Sequence, residues 1–163
     1  MYPDFEELFS VWNAEGVKYL VVDGYAVSLH AQPRATKDID ILVKPSKRNV
    51  MALFRALTAF GAPLAGLTAN DFAQRGSFFR MGMPPVMVDI LPEISGINFD
   101  AAWRRRVVAV IDPDTGLSAA FISAVDLIAA KEASGRPQDL ADVASLKAAQ
   151  ARPKAGATPR RRR

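Results

Sequence analysis

Lys37-Asp38-Ile39-Asp40-Ile41-Leu42-Val43 alternates aspartate with isoleucine and then runs apolar, the pattern of a strand with one buried face. Successive strand side chains point to opposite faces, so Asp38 and Asp40 share one face while Ile39 and Ile41 enter the core. Two like charges this close call for a cation. A hard divalent ion such as Mg2+ takes oxygen ligands and completes its shell with waters and substrate phosphates, which suits a carboxylate pair facing a nucleotide.

Upstream, Val17 to Val22 reads as a short buried strand, and Gly24 in Asp23-Gly24-Tyr25-Ala26-Val27 lets the chain turn into a helix over Tyr25 to His30. Before it, Phe5, Leu8, Phe9 and Trp12 follow helical spacing from Pro3 or Asp4, and Gly16 ends that helix. Downstream, Pro45-Ser46 starts a long helix through Phe60, closed by Gly61, and Thr68 or Asn70 begins a short helix. Ser77 to Met81 and Pro85 to Leu91 read as strands joined at Gly82-Met83-Pro84-Pro85, and the second carries Asp89 between Val88 and Ile90. Phe99 to Arg104 reads as helix, and Val107 to Ile111 and Leu117 to Ile122 as strands. Ser123 caps a helix through Ala133, and a last helix follows Pro137 from Gln138 to about Gln150. Interleaved helices and strands predict an α/β or α+β domain over residues 1–150, with a mixed sheet of about four to six strands and a C-terminal helical pair.

The chain has 163 residues, half of them apolar, enough for one sizeable core, and no cysteine, which excludes disulfides, thiolate catalysis and Cys-ligated metals. The acidic start Met1-Tyr2-Pro3-Asp4-Phe5-Glu6-Glu7 is unlike a signal peptide, and no apolar run nears the ~20 residues of a membrane helix. A cytoplasmic protein without membrane partners is expected. The net charge of +4 is unevenly placed: Arg152, Lys154 and Arg160 to Arg163 hold six of the 21 basic residues, leaving 15 against 17 acidic residues before them. The segment 151–163 lacks apolar periodicity and reads as a disordered basic tail, able to hold RNA phosphates or simply solvated.

Asp within an apolar strand is costly unless paired or bound to metal. Asp38, Asp40 and Asp89 therefore read together as a site for one or two metal ions; the competing reading puts them on an exposed face, salt-bridged to Lys37, Arg34 or Arg80. His30, the only histidine, reads as a capping or surface residue.

The Gly24 turn, Asp38-Ile39-Asp40 fourteen residues on, and Asp89 in Val86-Met87-Val88-Asp89-Ile90-Leu91 resemble the polymerase-beta-type nucleotidyltransferase superfamily. The segment Asp126 to Asp142, with Lys131, Arg136 and Asp139, resembles the C-terminal helical part of small bacterial nucleotidyltransferase-like proteins, including relatives of AbiEii-type toxins. The resemblance implies Mg2+ or Mn2+ on Asp38, Asp40 and Asp89 as catalytic ligands, with Asp89 activating the acceptor. It implies an NTP such as ATP near Gly24, Tyr25, Lys131 and Arg136. It further implies nucleotide transfer to a hydroxyl of RNA, protein or a small molecule, or a degenerate binding module, in a toxin–antitoxin setting with a cognate partner. For Lys131 and Asp139 an inter-helix ion pair is the alternative, and Asp142 is expected near Arg136. Arg34, Thr36 and Lys37 are placed at the rim of the cleft. One departure stands out: the family's turn commonly reads Gly-Gly or Gly-Ser, and here Asp23 precedes Gly24. Asp23 either joins the metal site, faces away, or weakens the grip on phosphate.

Overall fold

The centre of the molecule is a mixed six-stranded sheet in the order β3-β4-β2-β1-β6-β5. Its strands are β1 (Tyr19–Val22), β2 (Asp38–Val43), β3 (Phe79–Met83), β4 (Val86–Leu91), β5 (Val107–Asp112) and β6 (Leu117–Phe121). The flanking helices are α1 (Pro3–Ala14), α2 (Asp23–His30), α3 (Lys47–Phe60), α4 (Phe99–Arg104), α5 (Ala124–Ser134) and α6 (Pro137–Ala151), with a short 3₁₀ turn over Ala69–Ala73. This computed structural model describes residues 2–151, so the basic segment 152–163 lies outside the described residues.

The α+β fold expected from the sequence is observed, at the upper end of the expected strand number. β1 lies antiparallel to β2 and parallel to β6, while β2 and β4 run parallel. That central parallel pair sets Asp40 directly beside Asp89 in register. Tyr19 packs against Phe9 and Trp12 of α1, so the α1 side of the sheet is fully apolar, with Ile39 and Ile41 buried. The opposite side, reached by Val22 and Asp40, is covered by α5.

Local chemistry explains most boundaries. Proline opens α1, whose Phe5, Leu8, Phe9 and Trp12 are all buried. Gly61 ends α3 in the left-handed conformation at φ 84°. Ser123 accepts the Asp126 N–H at the start of α5.

The turn after β1 differs from expectation. The helix begins at Asp23, and Asp23 rather than Gly24 adopts the left-handed conformation, with φ 50°. Gly24 is required for another reason: a Cβ there would stand 2.8 Å from Thr36 Oγ1 and 2.9 Å from Thr36 Cβ. Glycine lets the loop before β2 press against α2, which places Thr36 to donate its hydroxyl to the Asp38 carbonyl.

Candidate active site

Asp38, Asp40 and Asp89 lie on adjacent strands of one sheet face, and their surroundings differ. Asp89 is buried and receives two bonds from Arg80, from Nε at 2.7 Å and Nη2 at 2.6 Å. Arg80 stands beside Asp89 in the β3–β4 register and also reaches Asp38 at 4.0 Å. The sequence-level alternative, a salt bridge to Arg80, is thus what Asp89 makes. Asp40 takes no hydrogen bond from the described residues. Burial pushes its carboxyl up to about 7, helped by the charges of Asp23, Asp89 and Asp38 and only partly opposed by Arg80. This face is short of positive charge, and its donors are all carboxylate oxygens, which fits a hard divalent cation.

Asp40 opens into a cavity of about 330 Å³, the lower end of the range for small-molecule sites. Val22, Leu91, Ile94 and Leu127 supply apolar wall, and Asp23, Lys131, Arg136 and Asp139 supply charge. Two residues expected at the nucleotide lie elsewhere: Gly24 is buried against Thr36, and Tyr25 packs edge-on to Phe5 beside a separate surface cleft.

Lys131 is the hub of the cavity's far wall. Its buried Nζ donates to Asp23 at 2.7 Å and Asp139 at 3.0 Å, and lies 2.9 Å from Asp142. Among the described residues, Asp23, Asp139 and Asp142 are the acidic trio whose oxygens come within 4.8 Å of one another; Asp38, Asp40 and Asp89 are not so gathered. The lysine ammonium serves as that trio's cation. Burial, which alone would lower Lys131, is outweighed by bonds to Asp142, Asp23 and Asp139, so its proton is held above the usual lysine range. Burial likewise opposes the charge on Asp139, and Arg136 and Lys131 overcome it, keeping that carboxyl well below its ordinary value.

Two arginines complete the network. Arg136 binds Asp139 at 2.6 Å and approaches Asp23 at 3.9 Å, and Arg34 binds Asp142 at 2.5 Å. Asp142 therefore meets Arg34 and Lys131, not Arg136 as the sequence suggested, because a helical step of three places Asp139 beside Arg136. Asp23 faces the cavity, where Lys131 compensates its charge. Arg34 sits in this network rather than at a rim, while Lys37 is exposed. His30 donates from Nε2 to the Ile122 carbonyl at 2.7 Å, tying α2 to the end of β6.

A family model described as "Nucleotidyltransferase of unknown function (DUF6036)" matches residues 4–150. The chain belongs to this family. The match spans the whole sheet and all six helices described above, nearly to the end of α6. Membership in DUF6036 places the protein among nucleotidyltransferases, for which a nucleotide is the implied substrate and a divalent metal the usual cofactor. No curated protein matches the chain. No helix of the described residues is long and apolar enough to cross a membrane.

Proposed function

We propose that this protein is a divalent-metal-dependent nucleotidyltransferase that moves a nucleotide from an NTP to a hydroxyl acceptor. The observation that supports this most is Asp40: a largely buried carboxylate without a hydrogen-bond donor, beside Asp89 and Asp38, opening into a cavity that also holds Lys131 and Arg136.

In this reading Asp38, Asp40 and Asp89 hold Mg2+ or Mn2+, which when bound neutralises phosphate charge and favours deprotonation of the acceptor hydroxyl. The chain's own residues do the rest. Arg136, exposed along one side, offers the guanidinium edge that Asp139 leaves free to phosphate oxygens, and Lys131, through its bonds to Asp23 and Asp139, holds the wall behind it. With Arg80 drawn off its oxygens, Asp89 takes the acceptor's proton, and the acceptor oxygen attacks the α-phosphorus as the bond to pyrophosphate breaks in line. Gly24 keeps the turn compact, so the start of α2 and Asp23 stay against the cavity. A second cavity, about 630 Å³, shares Ile94 with the first and gives space for the acceptor: RNA, a protein side chain or a small molecule. The resemblance to AbiEii-related proteins supports a toxin–antitoxin setting with a cognate partner.

The Arg80–Asp89 pair favours a second reading, a nucleotidyltransferase fold that binds a partner without turnover, since the guanidinium already satisfies one of the three carboxylates. Calorimetric titration with ATP, GTP, CTP and UTP, with Mg2+ and with EDTA, separates the two. Metal-dependent binding that Asp40→Ala abolishes supports the enzyme; indifference to all four nucleotides supports the binding module.

A further inference from the structure

β5 closes one end of the sheet, and among the described residues no strand pairs with its outer side. Its sheet partner is β6 alone. Val107, Val108 and Val110 are exposed, the last two at 61% each. An edge strand presents unpaired N–H and C=O groups, and soluble proteins shield such edges with proline, lysine, inward charge or bends. The opposite edge has such devices, Arg80 and the bent Gly82 within β3. In β5 the run Val107 to Val110 has none, and the irregularity begins only beyond it.

The flanks of β5 carry opposite charge. Arg104, Arg105 and Arg106 precede it, and Asp112 and Asp114 end it. Arg105 is engaged with Asp126 at 2.6 Å, and Arg106 lies over the Trp103 ring at 4.0 Å. Arg104 and Asp114 are exposed and in no ion pair among the described residues. An antiparallel neighbour of identical sequence reverses the order of charge, so the arginines of each copy meet the aspartates of the other at both ends. A parallel neighbour would set arginine against arginine. The irregular β5–β6 register between Val110 and Asp112 confines regular pairing to Val107 through Val110.

We infer that β5 is a homodimerisation edge: two copies pair their β5 strands antiparallel about a two-fold axis near Ala109, extending one sheet through both molecules. The occupant is a second copy of this chain because β5's charge pattern is complementary to itself.

Sedimentation velocity on the full chain, a monomer of 17.7 kDa, tests this up to ~100 μM. A species of twice that mass is expected, weakening as salt screens the flanking charges. Arg104→Glu and Asp114→Arg, which face each other across an axis at Ala109, each raise the dissociation constant at least about tenfold, and together they return it to within about threefold of wild type. Val108→Lys, which guards the edge without touching the ion pairs, also gives monomer. Circular dichroism checks that each variant is folded. A wild type monomeric throughout, a dimer indifferent to Val108→Lys, or a folded double variant that fails to recover would each overturn the inference.

Discussion

Arg80 holds both oxygens of the Asp89 carboxylate through Nε and Nη2, at 2.7 and 2.6 Å, where a metal ligand is proposed. Arginine and divalent cation therefore compete for the same oxygens. Removing the guanidinium leaves the carboxylates with less compensating charge, so Arg80→Ala should tighten binding of Mn2+ to the nucleotide-free protein by about tenfold. Paramagnetic relaxation of water by Mn2+ reads this directly; unchanged affinity would mean that Asp89 is no metal ligand.

Lys131 should be among the most sensitive positions in the chain. Lys131→Ala takes from Asp139 and Asp142, both buried, the cation they share and leaves each with one arginine, an expected loss of at most about 3–5 kcal/mol by chemical denaturation. The same truncation opens the Asp23, Asp139 and Asp142 trio. Thermal unfolding of the variant should thus move upward with millimolar Ca2+ or Mg2+ by more than that of wild type, and a cation-insensitive variant would contradict the view of Lys131 as a resident counter-ion.

Asp40 makes the metal-free protein pH-sensitive in a defined direction. Its carboxyl titrates at about 7 when folded and near 3.9 when unfolded, so the folded state binds the proton more tightly. The stabilisation is fully present below about pH 4 and is lost as pH rises through 7. Asp40→Asn, which cannot ionise, should gain on wild type across that interval by roughly 1–3 kcal/mol after solvent screening. Urea unfolding at pH 5 and pH 8, in EDTA, measures the difference; a gap that does not widen with pH would refute it.

Gly24→Ala drives a methyl into Thr36, with contacts of 2.8 and 2.9 Å to its side chain. Destabilisation of about 1–3 kcal/mol is expected. Thr36→Gly in the same molecule removes the obstruction and should recover most of the loss, apart from the added flexibility of the loop. A double variant no better than the single would place the strain elsewhere.

β2 was legible to the residue, because alternation of aspartate and isoleucine fixes both its period and its faces. The C-terminal helices were nearly as clear, their ends marked by Ser123, Gly135 and Pro137. What escaped was non-local. Lys131 meets Asp23 across 108 positions, and Arg34 meets Asp142 across the same span; no spacing rule reaches so far. The start of α2 misled for a local reason, since glycine is the usual residue at positive φ and here Asp23, held by Lys131, takes that conformation instead. Tyr25 followed from that assignment and turns out to serve the contact with Phe5.

The strand order has a consequence for how the protein is made. β1 is one of the two central strands, yet one of its two neighbours, β6, is nearly a hundred residues later in the chain. While a ribosome is still extending the polypeptide, the first four strands can assemble, but the far side of β1, with Leu20, Val21 and Val22, stays open until Phe121 has emerged. A nascent chain interrupted before that point would display an apolar, unpaired edge at the heart of its future core, the kind of surface that chaperones hold and proteases find.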